Sequence, residues 1–133
     1  MKLRKIELKL EGDQYWPILP IVHVGGDATA MPIPDGALQP ELEEIIRSWD
    51  KAAILKITPN DGKAMVGFWV SSGSCQYLNV PVETTNEGLF AMRLGSGPTD
   101  FFIVPQDHQT NYQLEYIETA KIDELKHKNV PLY

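Results

Sequence analysis

Apolar and charged positions alternate from the start of the chain. Ile6, Leu8 and Leu10 fall on one side of an extended backbone and Lys5, Glu7 and Lys9 on the other. Period two with one charged face predicts a half-buried strand over 2–10. Glu11-Gly12-Asp13 turns the chain, and 15–24 is again extended and apolar. Pro17 and Pro20 lack the N–H that an interior strand donates, so this segment belongs at a sheet edge. From Gly25 to Gln39 two glycines, Pro32, Pro34 and Asp35-Gly36 break every periodicity. That stretch reads as a long loop, and loops of this length often carry function.

The period then changes. Pro40 followed by Glu41, Glu43 and Glu44 places proline and acids where a helix N-terminus favours them. Leu42, Ile45, Ile46 and Trp49 recur at helical spacing, which predicts an amphipathic helix over 40–51 packed on a sheet. A meander of strands over 53–58, 65–71 and 75–83 follows, with Asp61-Gly62 and Ser72-Gly73 at its turns. Val66, Phe68 and Val70 alternate with Met65, Gly67 and Trp69, so both faces of the middle strand are apolar and it should be central. Further strands are expected over 89–94, 99–104 and 111–118, the last alternating Tyr112, Leu114 and Tyr116 against Gln113 and Glu115. A short helix over 121–128, capped by Thr119, closes the series. The fold class is therefore α+β, with one domain over 1–133. Its sheet is mainly antiparallel and meander-like, with six to eight strands, one packed amphipathic helix and a short C-terminal helix.

Charge narrows the function. Eighteen acidic residues against twelve basic ones give a net charge of −6, a field that repels phosphate backbones and anionic lipid and favours basic surfaces. Nucleic acid and membranes are thus disfavoured as partners. The single cysteine, Cys75, cannot form an internal disulfide. With no apolar leader among the first ten residues and no run long enough to span a bilayer, a cytoplasmic location is expected.

Candidate chemistry is sparse. His23 lies in an apolar strand, His108 in a polar turn, and His127 between Lys126 and Lys128. None has a second ligand at metal-binding spacing, so no metal and no cofactor is expected. A catalytic or ligand-binding pocket would have to gather His23, Cys75, Asp100 and His108 from separate elements. The glycines at 25–26 and at 95 and 97 lack the strand–turn–helix context of a nucleotide-binding loop.

The reading that these features favour is a non-catalytic protein-binding module, an acidic neutraliser of a basic protein partner. The helix-then-meander order of 40–83, with its tryptophans, resembles the architecture of several small bacterial immunity proteins, without a shared motif. The expected contact residues are Tyr15 and Trp16, aromatic and beside a turn, Asp27 and Asp35 in the long loop, and Glu41, Glu43, Glu44 and Asp50 on the helix. The acidic helix face and the loop 25–39 would cover a basic groove on the partner. Two other classes remain open: a self-assembling structural component, such as a bacteriophage or homo-oligomer subunit, and a small enzyme or ligand-binding domain.

Overall fold

A computed structural model describes residues 4–7, 21–24, 38–70, 75–95, 99–105 and 110–133. In chain order the elements are β1 (Arg4–Glu7), β2 (Ile21–Val24), α1 (Gln39–Arg47), β3 (Lys51–Thr58), β4 (Ala64–Val70), β5 (Cys75–Pro81), β6 (Leu89–Leu94), β7 (Thr99–Pro105), β8 (Gln113–Lys121) and α2 (Ile122–Leu125). The described residues are mainly antiparallel sheet with two short helices, an α+β arrangement. The strands divide into a five-stranded sheet, ordered β1-β5-β4-β7-β2, and a three-stranded sheet, ordered β6-β3-β8.

This division corrects the expected meander at its first turn. β3 pairs with β6 and β8 and not with β4. Asp61-Gly62 therefore does not close a hairpin. The connection 59–63 carries the chain from one sheet to the other, and the helix-then-meander likeness to immunity proteins loses its basis. β4 does pair with β5, while Ser72 and Gly73, the expected second turn, lie outside the described residues. β4 also pairs with β7, which makes it central, as its two apolar faces require. β1 and β2 are the edges of the larger sheet.

Apolar alternation decides what each sheet faces. Ala53, Leu55 and Ile57 of β3 and Phe90, Met92 and Leu94 of β6 meet Ala64, Val66 and Phe68 of β4 and Phe101 and Ile103 of β7 in one buried cluster. Leu42 and Ile46 of α1 and the following Trp49 join the same cluster. Burying Leu42 and Ile46 contributes about 2 kcal/mol each, which a helix of only nine residues needs to persist. The rings of Trp49 and Phe68 meet edge to face, with centroids 6.4 Å apart. The helix ends at Arg47, short of the expected 51. Ser48 caps it, its Oγ donating to the Ile45 carbonyl, and the chain extends at once into β3.

The alternate residues of β3 face the other way. Ala52 and Ile54 join Ala91, Ala120 and Leu125 in a second cluster, with Ile122, Val130 and Leu132 packed at its rim. β3 and β6 are thus covered on both faces, whereas β8 is largely exposed. The β6 edge is completed by the last residues, since Ala91 bridges Leu132 in parallel and exchanges backbone hydrogen bonds with Pro131 and Tyr133.

The opposite edge is irregular. The β3–β8 register passes from Ile54↔Glu118 to Leu55↔Tyr116, leaving Ile117 without a partner as a β-bulge. Tyr116 and Ile117 are both exposed there, so the expected alternation holds for Tyr112, which is buried in the core cluster, and for half-buried Leu114, which packs against it, and fails at Tyr116. Thr119 pairs with Ala53 inside β8 and caps nothing. α2 begins after Lys121, without a side-chain cap.

Two glycines separate backbone strain from crowding. Gly62 has φ +73° with open space around it, while Gly88 has φ +83° and an added Cβ would stand 2.5 Å from the Ile57 carbonyl oxygen. In urea unfolding, Gly62→Ala is expected to cost about 1 kcal/mol, for the left-handed conformation alone. Gly88→Ala should cost at least about 2 kcal/mol more, through the added clash. Equal losses would show that the Gly88 contact does not constrain the fold.

Candidate functional site

Two surfaces come forward from the residues, at different parts of the fold. The first is the outer side of α1. Because Leu42 and Ile46 point into the core, residues one turn apart on the other side point to solvent. Glu41 and Glu44 are exposed there, whereas Glu43 is half-buried and already engaged in an interaction; Asp50, past the end of the helix, is exposed too. Leu38, just before the helix, is 67% exposed. At the far end of the helix the charge reverses. Arg47 lies close enough to Arg93 of β6 to help burial, the larger cause, lower the Arg93 guanidinium pKa. The acidic stripe is therefore confined to the first two turns. Asp50 stands beyond it, its backbone carbonyl accepting from Ile122 N–H. Of the eight expected contact residues, this surface retains Glu41 and Glu44 on one face. Tyr15, Trp16, Asp27 and Asp35 lie outside the described residues, as does the loop 25–37.

The four residues considered for a pocket are distributed over the five-stranded sheet. The register sets His23 of β2 directly opposite Asp100 of β7. Cys75 of β5 is opposite Glu7 of β1, with β4 standing between β5 and β7. His108 lies outside the described residues. Only the backbone positions of His23 and Asp100 are brought together. Among the described residues, no group of three or more His, Cys, Asp and Glu side chains is placed to hold a metal ion, and no helix is long and apolar enough to cross a membrane.

The second surface was not among the expectations from the sequence. A groove of about 600 Å³ opens between the β3–β4 connection and the loop after β5, lined by Asn60, Asp61, Glu83, Thr84, Thr85 and Asn86. Gly62 and Val82 complete it, so most of the lining residues carry polar side chains. Three tethers hold its walls. The Asn60 side-chain amide donates to the carbonyls of Thr85 and Asn86, at 3.4 and 3.3 Å, linking one wall to the other. The hydroxyl of Tyr112, the residue before β8, donates to the Asp61 carboxylate, whose two oxygens are both 2.8 Å away, and Asp61 also accepts from Lys63 N–H at 3.0 Å. The Tyr133 hydroxyl accepts from Glu83 N–H and donates to the Glu83 carbonyl.

Beneath these tethers the loop is fixed by its own backbone. Gly88 N–H donates to the Thr85 carbonyl, Leu89 N–H to the Thr85 hydroxyl, and Ile57 N–H to the Gly88 carbonyl. The result is a preformed, polar, solvent-open recess. One sequence signal for it existed: 83–88, Glu-Thr-Thr-Asn-Glu-Gly, is longer and more polar than a tight turn between two strands requires. Its other wall, Asn60 to Gly62, carried only the signature of a hairpin turn. No protein-family profile, curated protein or solved structure matches the chain, so the site is read from its own chemistry.

Burial holds the Tyr133 phenol above its ordinary pKa. The backbone hydrogen bond to Glu83 pulls it down, and the Glu83 charge adds to the rise. A folded-state value above the unfolded one gives stability that is complete below the unfolded value, near 10, and is lost as pH rises through the folded value. Unfolding free energies from urea titrations at stepped pH should therefore decline above about pH 10. Tyr133→Phe should decline less steeply there, after losing about 1 kcal/mol at neutral pH with the hydrogen bonds. Identical alkaline slopes for the two proteins would show that the Tyr133 phenol does not couple to folding.

Proposed function

We propose that the chain is a non-catalytic protein-binding module of the cytoplasm that neutralises a basic protein by covering its functional surface. The observation that carries this reading is the exposed face of α1. Leu38 offers an apolar contact in solvent just before the helix, and Glu41 and Glu44 are exposed in its first two turns. An apolar centre with a charged rim is the usual anatomy of a docking patch. The helix is held from behind by Leu42 and Ile46, so little ordering entropy is lost when its outer face is covered. The net charge of −6 would accelerate encounter with a positive surface, and Glu41 and Glu44 would align the pair. Burying Leu38 would then slow dissociation.

The test is affinity capture from the source cell's lysate at low salt, with wild type and the Glu41→Lys/Glu44→Lys variant in parallel. The mass of each captured assembly is then determined in its native state. The expected outcome is one basic protein held in stoichiometric amount by wild type. Its association rate with the variant should be at least about tenfold lower at low salt, and the two rates should converge at high salt. Equal association of both chains would remove α1 as the docking face, and a multiple of the chain's own mass would replace the reading with self-assembly.

A further inference from the structure

The groove between Asn60 and Asn86 lies on a separate part of the molecule from the exposed face of α1, and its chemistry is different. We propose that it is a binding site for a guanidinium or ammonium group, carried either by a small organic amine or by a basic side chain of a protein. The inference stands independently of the docking role of α1.

Shape comes first. At about 600 Å³ the groove falls within the range of small-ligand sites, which run from roughly 300 to 1,000 Å³. Its walls are joined by the Asn60 amide and braced by Tyr112 and Tyr133, so a ligand would meet an arrangement already formed, at low entropic cost.

Charge selects the ligand. Among the described residues, the lining holds two carboxylates, Asp61 and Glu83, and no basic side chain. Lys63 reaches Asp61 through its backbone N–H, and its side chain is not part of the lining. On a chain of net charge −6, this recess attracts cations and excludes phosphates and carboxylates. Val82 is the only bulky apolar side chain among the described residues of the lining, so a hydrophobic ligand would find little to cover it. The Tyr112 hydroxyl orients the Asp61 carboxylate and leaves lone pairs for further donors, since a carboxylate offers about four acceptor sites. A planar guanidinium or an ammonium brings only donors. Thr84, Thr85 and Asn86 add hydroxyl and amide oxygens around them. In this arrangement the two carboxylates supply affinity, and the neutral groups fix orientation.

The side chain of Glu83 makes a clean variant possible. The Tyr133 tether uses the Glu83 backbone N–H and carbonyl, so Glu83→Gln removes the charge and leaves the brace in place. The full chain, labelled with ¹⁵N, is titrated with agmatine, with acetamide as a neutral donor of similar hydrogen-bonding type, and with a glycine peptide bearing one arginine. Agmatine is expected to shift the amides of Asp61, Gly62, Thr84, Thr85 and Asn86 saturably, and acetamide to leave them in place. Glu83→Gln and Asp61→Asn should each weaken agmatine at least about tenfold while retaining a folded spectrum. Saturation by the arginine peptide alone, at the same amides, would assign the cation to a protein side chain and sustain the proposal. The proposal is overturned if neither cation produces saturable shifts at these amides, if acetamide shifts them equally, or if Glu83→Gln binds agmatine as wild type does.

Discussion

The fold depends on β3 being buried on both faces. Ala53, Leu55 and Ile57 face the cluster shared with the five-stranded sheet and α1, and Ala52 and Ile54 face α2 and the C-terminal residues. A strand in that position has no solvent side, so charge is tolerated only towards its ends, at Lys51 and Lys56, both of which are half-buried. The small side chains of Ala52 and Ala53, both fully buried, let the layers on either side approach closely. Everything else follows from supplying those two covers. The larger sheet provides one; the short helix and the tail, with Leu125, Val130 and Leu132, provide the other.

This constraint explains which parts of the fold were legible in the sequence. Individual elements were, because each had a local cause. Pro40, Glu41 and the Leu42–Ile46 spacing start and orient α1, and the apolar run of Phe101, Phe102 and Ile103 marks β7. The assignment of strands to sheets was not legible. Asp61-Gly62 carries a hairpin signal, yet a turn residue reports local backbone geometry and not which layer the next strand joins. The chain between Thr58 and Ala64 is long enough to pass from one layer to the other, and the apolar faces of β3 and β4 are better buried against each other than side by side. The bulge at Ile117 was hidden for the same reason, since one unpaired residue leaves no mark on an alternating pattern until its partner strand is known.

The candidate surfaces follow the same division. The acidic side of α1 could be read from helical periodicity alone, and burial of the opposite stripe refines it by withdrawing Glu43. The groove could not, because its walls come from positions at least twenty residues apart in the chain, and the tyrosines that brace it, Tyr112 and Tyr133, come from further away still. Both tyrosines looked like core or terminal residues in the sequence. Their rings are indeed buried, and only their hydroxyls work at the surface, which is the division of labour that tyrosine allows.

The pairing of β3 with β8 has a consequence for how the chain reaches this structure. Lys51 sits opposite Lys121 and Thr58 opposite Gln113, so the doubly covered strand receives one of its two neighbours from the last fifth of the sequence. β4 likewise waits for β7. Both sheets are therefore high in contact order, and loop-closure entropy must be spent before either centre is complete. During synthesis, β3 and β4 emerge well before the strands that complete their sheets. Until those strands arrive, they expose apolar faces and open edges to neighbouring chains, so the early life of this protein is governed by its late residues.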